Sequence, residues 1–268
     1  MSGIGVNRNN NGTTSTSNAL NGTQLNVTQQ SGQLVGLQLI GQIQGQDASS
    51  PLFSSSNWIL VDLHSISTLG YHSAQLQIAG NVNAGSLVLS ESVAEGFSYQ
   101  NYGYWASATI SPFSLSTSAF SVGSATNPAS IPVQGIATFT GESIGEAHDV
   151  GPVSYGYISS LVTASVDFSS RSITYQSSNT TGTTTTGSTA ANTVTTSGPL
   201  PQFNMTGTLR YTAGSNLFSG TLATAGGWSG TANGQFYGPA ANELGGIFNV
   251  SGPTGQSYYI GGFGGKRP

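Results

Sequence analysis

Apolar residues in this chain fall at every second position far more often than at helical spacing. Leu25 and Val27 alternate with polar neighbours, as do Leu37, Leu39 and Ile43 among the glutamines. That is the period of a strand with one buried face. Ala74-Gln75-Leu76-Gln77-Ile78 repeats the pattern. Further strand signals run over Trp58 to Leu63, Ser86 to Leu89, Ile136 to Phe139, Leu161 to Phe168, Ser172 to Tyr175, Met205 to Tyr211, Leu217 to Leu222, Gly234 to Tyr237, Gly246 to Val250 and Tyr258 to Phe263. Glycine and serine interrupt these runs about every 8 to 12 residues, the spacing of short strands in a barrel or sandwich. Strong helix formers are scarce, so helix is expected only as a single turn around Pro239 to Leu244. The pattern predicts an all-β chain.

Two stretches break it. Residues 1 to 23 are Asn, Thr, Ser and Gly with almost nothing to bury, and are read as a flexible arm. Residues 177–198 are similarly polar and low in complexity, and are read as an exposed, mobile loop between two strands.

Composition narrows the function. Five Lys and Arg stand against nine Asp and Glu, so charged residues make up 5% of the 268 and the net charge is −4. Ser (41), Thr (30), Asn (19) and Gly (38) supply nearly half of the chain. Five cations cannot build a phosphate-tracking surface, which excludes nucleic acid as a partner, and they are too few for a polybasic membrane anchor. With 36% hydrophobic residues and 25 aromatic ones, the chain has enough apolar mass for a core. Cysteine is absent, which removes disulfides, thiolate metal sites and a cysteine nucleophile. No apolar run approaches the roughly 18 residues of a membrane-spanning helix, and no secretory signal is apparent. An exported form would use a leader removed from this sequence or a route that needs none.

From about Phe97 the order of motifs becomes specific. Tyr102-Gly103-Tyr104-Trp105 is followed by Ile131-Pro132-Val133-Gln134-Gly135-Ile136-Ala137-Thr138-Phe139-Thr140-Gly141, then Ala164-Ser165-Val166-Asp167-Phe168. Gly234-Gln235-Phe236-Tyr237-Gly238-Pro239-Ala240-Ala241-Asn242-Glu243-Leu244-Gly245-Gly246-Ile247-Phe248 and a closing Gly262-Phe263-Gly264-Gly265-Lys266-Arg267 complete the series. This series resembles the β-barrel domain of the transferrin-binding protein B-like family of bacterial surface and secreted proteins. The resemblance implies an eight-stranded antiparallel barrel with a filled interior, preceded by a β-rich handle. It divides the chain into the arm (1–23), a handle region (24–95) and the barrel (96–268). It also implies an extracellular or bacterial cell-surface (outer-membrane) protein that captures a partner without catalysis: haem, as in hemophilin-type members, or a host or environmental macromolecule. The motif residues themselves are barrel-forming. Gly238 and Pro239 set a turn, Phe236, Tyr237 and Phe248 supply core area, and Glu243 is expected to accept backbone N–H groups at a loop closing the barrel. No lipobox cysteine and few charged loop residues are present, which favours a soluble secreted member.

Candidate chemistry is sparse. The only histidines are His64, His72 and His148, and no G-x-S-x-G elbow accompanies them, so no hydrolytic triad and no enzyme is expected. Asp62 and His64 share a strand face, which chance alone supplies often. Tyr71 and His72 follow a turn-like break, and His148 sits in a loop bounded by glycines. A neutral imidazole or a tyrosinate can hold haem iron, which makes Tyr71, His72 and His148 the candidate haem ligands; the competing reading is solvated loop histidines. Glu142, Glu146 and Asp149 form the densest charge cluster but lack the calcium-loop pattern. The Asn-x-Ser/Thr sequons occur at about the chance frequency of so Ser/Thr-rich a chain, and imply no glycosylation. A different class of function comes from the amino-terminal region. Alternating strands with hardly a charge to block edge pairing could self-associate, giving an adhesive or filament-forming extracellular protein.

Overall fold

The computed structural model describes residues 2–9, 14–17, 24–30, 33–40, 58–66, 71–78, 84–90, 96–110, 113–149, 153–187 and 192–268. The described residues are almost entirely strand. The first nine strands are β1 (Ser2–Asn9), β2 (Thr14–Ser17), β3 (Gln24–Gln30), β4 (Gln33–Ile40), β5 (Trp58–Ile66), β6 (Tyr71–Ile78), β7 (Ala84–Ser90), β8 (Gln100–Ile110) and β9 (Phe113–Gly123). β3 and β4 pair as a separate two-stranded sheet, and the other seven form an antiparallel sheet in the order β2-β1-β9-β8-β7-β6-β5.

Two expectations change here. The stretch read as an arm supplies β1, which pairs with β9 from Ser2↔Gly123 to Asn9↔Ser116, and β2 on its outer side. Ile4 and Val6 alternate with small or polar residues, enough for a strand when a partner edge is waiting, and composition hid that short pattern. The boundary at residue 96 also moves, because β8 and β9 belong to the handle sheet and the barrel strands begin at Ile136.

The barrel strands are β10 (Ile136–His148), β11 (Val153–Asp167), β12 (Ser172–Thr186), β13 (Val194–Pro199), β14 (Met205–Tyr211), β15 (Leu217–Thr224), β16 (Ser229–Tyr237), β17 (Glu243–Ser251) and β18 (Tyr258–Lys266). Eight of them close the ring β10-β11-β12-β14-β15-β16-β17-β18, with β18 returning to β10. Closure removes the edges that an open sheet would expose. β13 lies outside the ring and pairs only with the far half of β12, from Thr181↔Pro199 to Thr186↔Val194. The expected loop at 177–198 is therefore largely a hairpin. Threonine's branched side chain suits a strand, and Thr185 and Thr195 hydroxyls bond across the pair at 3.1 Å. The exposure expected of this stretch is found along β13. In place of the expected helix at Pro239 to Leu244, Gly238 to Ala241 forms a turn and Glu243 and Leu244 already belong to β17; the Ala240 N–H donates to Asn242 Oδ1 at 3.1 Å, with Ala241 at φ 52°.

Period-two burial fills the lumen. On β14, Met205, Leu209 and Tyr211 are buried while Thr206, Thr208 and Arg210 face water. Phe236 is ringed by Tyr211 at 5.2 Å, Phe218 at 5.4 Å, Phe168 at 6.3 Å and Phe139 at 6.4 Å between centroids. At another level Phe203, delivered by a 3-10 turn at Pro201–Phe203, meets Tyr155, Tyr259 and Trp228. Each fully buried ring contributes about 1.5–3 kcal/mol of transfer free energy, so the packed lumen is the main stabilising element. It is the filled interior the motifs implied.

The handle sheet packs on the outside of the barrel. Val88, Phe97, Tyr102, Tyr104 and Ala119 join Ile144, Ile247, Tyr258 and Ile260 in one buried cluster. The approach is close enough to need glycine. A Cβ on Gly262 would lie 2.9 Å from both Gly103 N and Phe120 O, so the backbones of β18, β8 and β9 touch there.

Candidate functional site

The polar chemistry of the described residues gathers at one end of this handle–barrel seam. Alternation along β10 turns Ser143 and Ala147 to the lumen side, and Ile144, Glu146 and His148 to the side the handle covers; Ala147 joins the barrel core and Ile144 the seam cluster. A register shift between Gly145 and Ala147 in the pairing with β11 marks a bulge whose extra residue lies on β11, opposite Glu146. The facing stretch of β11 is irregular between Gly156 and Ser159, with Tyr157 held at φ 50°. Bulges of this kind re-aim side chains.

Glu146 Oε1 accepts a 2.5 Å hydrogen bond from the Thr117 hydroxyl of β9 and lies 3.4 Å from His148 Nε2. The Tyr258 hydroxyl is 3.3 Å from the same Thr117 oxygen, and its ring packs against His148 at 5.1 Å. Both acidic and basic members stay partly open to water, with side-chain exposures of 13% for Glu146 and 29% for His148. Behind them the Tyr104 phenol is fully buried. Burial first, and then the Glu146 charge, push its pKa well above the usual tyrosine range. Beside them Asp149 accepts from the Ser257 hydroxyl at 2.6 Å, and burial together with the Asp149 charge raises the Tyr155 phenol.

The opposite end of the seam is structural. Glu243 accepts the Ser98 N–H at 2.7 Å and the Tyr99 N–H at 3.2 Å. Gln100 donates to Leu244 O at 2.8 Å, and the Ser121 and Tyr237 hydroxyls bond at 2.8 Å. The carboxylate expected to bind a closing loop therefore binds the strand entry that carries the handle.

His148 is the one sequence-selected candidate at the polar end. Tyr71 and His72 lie on β6, where Tyr71 pairs with Ser90 and His72 with Leu89, and their side chains lie outside the described ones. The row through Thr117 crosses to Ala106, Ser86 and then Gln75, so His72 sits three strands over and three residues along. At ordinary strand spacings that is a backbone separation of roughly 17 Å. The fold does not bring His72 to His148. Thr117 and Tyr258 escaped the sequence reading, because only the long-range register of β9, β10 and β18 makes them neighbours.

Residues 131–267, just over half of the 268, match the family model described as the C-lobe and N-lobe β-barrels of Tf-binding protein B. The chain belongs to this family. Its transferrin-binding-protein-B (TbpB) barrel is the ring from β10 to β18, and solved structures extend the likeness to the whole chain. A double mutant of the vaccine antigen TbpB from Haemophilus parasuis Hp5 is similar at a TM-score of 0.56 and 16% identity, over 99% of this chain and 45% of that one. Intact Ap-TbpB, with N and C lobes, is similar at a TM-score of 0.53 and 15% identity, over 100% of this chain and 46% of that one. Likeness at such identity is one of fold, and the chain spans less than half the length of either protein. No curated protein matches the sequence.

Proposed function

We propose that this protein is a bacterial cell-surface or secreted capture protein that binds an extracellular macromolecule non-covalently. The observation that carries the reading is the TbpB-family barrel with its lumen packed by aromatic rings, joined along one wall to a handle sheet. A lumen so filled is a rigid support, and binding falls to the outer surface. The names of the two TbpB structures supply the first partner to test, transferrin, and lactoferrin is tested beside it. The low charge of this chain sets it apart from receptors that grip partners through charged loops. Its contacts would rest on hydroxyl, amide and aromatic groups.

Biolayer interferometry on immobilised transferrin and lactoferrin tests the reading. Saturable binding with about micromolar or tighter affinity supports it. No response to either protein at tens of micromolar would sink it.

Haem is a second reading, favoured by the Glu146–His148 pair. A ligating imidazole commonly has its other nitrogen held by a carboxylate, and Nε2 beside Glu146 leaves Nδ1 for iron. When bound there, haem would supply redox-active iron. The residues' own part is to fix the ring plane through Tyr258 and to cover a porphyrin edge with Tyr155 and Tyr157. Tyr71 and His72 would have to serve a separate ligand. A Soret shift at one equivalent of haem that disappears in His148→Ala supports this reading, loss in His72→Ala instead moves it to the handle, and no shift removes it.

A further inference from the structure

The separation of Glu146 Oε1 and His148 Nε2, 3.4 Å, is long for an N–H···O hydrogen bond, whose usual range is about 2.7–3.2 Å. It equals the edge of a tetrahedron with metal–ligand bonds of about 2.1 Å, the length of zinc bonds to imidazole nitrogen and carboxylate oxygen. We propose that Glu146 and His148 form a site for a divalent transition-metal ion of the zinc class, at the rim of the handle–barrel seam.

Four features of the chain support it. The two ligands stand at i and i+2 on β10, so both project from one face without any backbone change. The unbroken register of β10 with β18, with Glu146 opposite Ile260, holds Glu146 in place. Thr117 donates to Oε1 and leaves the carboxylate's other lone pairs available, the orienting contact that ligating carboxylates normally keep. Tyr258 packs flat enough against His148, at 39° between planes, to fix the imidazole, and its hydroxyl reaches the same Thr117 oxygen. Imidazole with carboxylate is a donor set suited to zinc rather than to magnesium or calcium, which want oxygen alone.

No group of three His, Cys, Asp or Glu assembles among the described residues, so these two side chains supply half of a tetrahedron. The remaining positions open toward water past the partly exposed His148 ring. Two protein ligands are fewer than the three or four of ordinary zinc sites, so water would fill the remaining positions. The ion would be held more weakly than structural zinc, and it would tie β10 to the handle through Thr117.

The test uses the untagged full chain and cobalt(II), whose visible bands report tetrahedral binding, with zinc as competitor and calorimetry for affinity. One saturable equivalent displaced by zinc is expected. Glu146→Gln and His148→Ala should each weaken it at least tenfold, Thr117→Val about 10- to 100-fold, and Thr117→Ser should recover most of that loss. His72→Ala should leave it unchanged. Unaltered urea midpoints in Glu146→Gln and His148→Ala exclude a folding defect. No saturation by zinc up to about 1 mM, or binding that survives both ligand variants or depends on His72, overturns the proposal. The haem reading can fail or hold separately, since porphyrin is absent from this titration: a Soret shift lost in His148→Ala with no zinc binding rejects the metal site alone.

Discussion

Glu243 and Ser98 stand 145 residues apart in sequence, yet the carboxylate of one accepts the backbone N–H of the other at 2.7 Å. This bond, with its Tyr99 companion, fastens the entry of β8 to the start of β17 and so fixes the handle to the barrel. Glu243→Ala leaves both donors without their acceptor, at a cost of about 1–3 kcal/mol. Faster hydrogen exchange at Ser98 to Asn101, with the barrel strands still protected, is the expected result. Equal loss of protection throughout the barrel would contradict this local role.

The same carboxylate predicts a pH dependence. Burial raises its pKa above the ordinary 4.5, against the backbone N–H bonds and the Lys266 charge that lower it. A raised carboxylate binds its proton more tightly in the folded state. Its contribution to stability is therefore fully present below the unfolded pKa and is lost as pH rises through the folded pKa. Glu243→Gln should accordingly flatten the fall in stability as pH rises above about 4.5. Urea midpoints across that range measure it, and parallel wild-type and variant profiles would refute it.

Close backbone contact makes Gly262 a sensitive position. Gly262→Ala places a methyl 2.9 Å from Gly103 N and Phe120 O, neither of which can swing aside. Overpacking of this kind costs about 1–3 kcal/mol. Gly198→Ala on β13 meets nothing within 4 Å and should stay within about 0.5 kcal/mol of the parent. Chemical unfolding of the pair distinguishes an interface requirement from a general intolerance of alanine.

The barrel was legible and the seam was not, for physical reasons. Met205 to Tyr211 carries period-two burial, and Gly234 to Phe248 carries an apolar run with turn glycines, buried almost continuously because the handle covers its outer face, so local pattern reports both directly. The expected role of Glu243 as an acceptor of backbone N–H groups follows from a lone charge in an apolar motif, although its partners proved to lie in the handle. Thr117, Tyr258 and Gln100 have no such local mark. Their function arises from strand registers more than 100 residues apart, which one sequence does not encode in any short window. β1 and β13 were hidden because Ser, Thr, Asn and Gly disguise strand geometry as loop composition.

Buried phenols predict how the fold fails in alkali. Tyr104, Tyr175, Tyr237 and Tyr259 are all fully buried, and desolvation pushes each pKa far above 10. Raised acids stabilise fully below the unfolded pKa of about 10 and lose that contribution as pH rises beyond it. Each group costs about 1.4 kcal/mol per pH unit there, or roughly 5 for the four. The tyrosinate absorbance of these four should appear in one cooperative step, coincident with loss of far-ultraviolet strand signal and distinct from that of the more accessible phenols. Ionisation of these four phenols ahead of unfolding would show that the lumen or the handle–barrel seam admits solvent.

The pairing of β1 with β9 reverses what removal of the amino terminus should do. If residues 1–23 were a donor arm, deleting them would abolish self-association. Since β1 covers Ser116 to Gly123, deleting residues 1–23 instead bares an eight-residue strand edge. That edge, Ser-Thr-Ser-Ala-Phe-Ser-Val-Gly, carries no charge to repel a second copy. The truncated protein should associate more than the parent, visible by light scattering as a concentration-dependent rise in mass. Ser118 and Ser121 are buried and stay unaltered; Ser116→Lys, at the end of the stretch that β1 pairs with, tests the edge itself and should restore the smaller species. A truncated chain no more associated than the parent would show that β1 guards nothing, and one less associated would return the arm to its donor role.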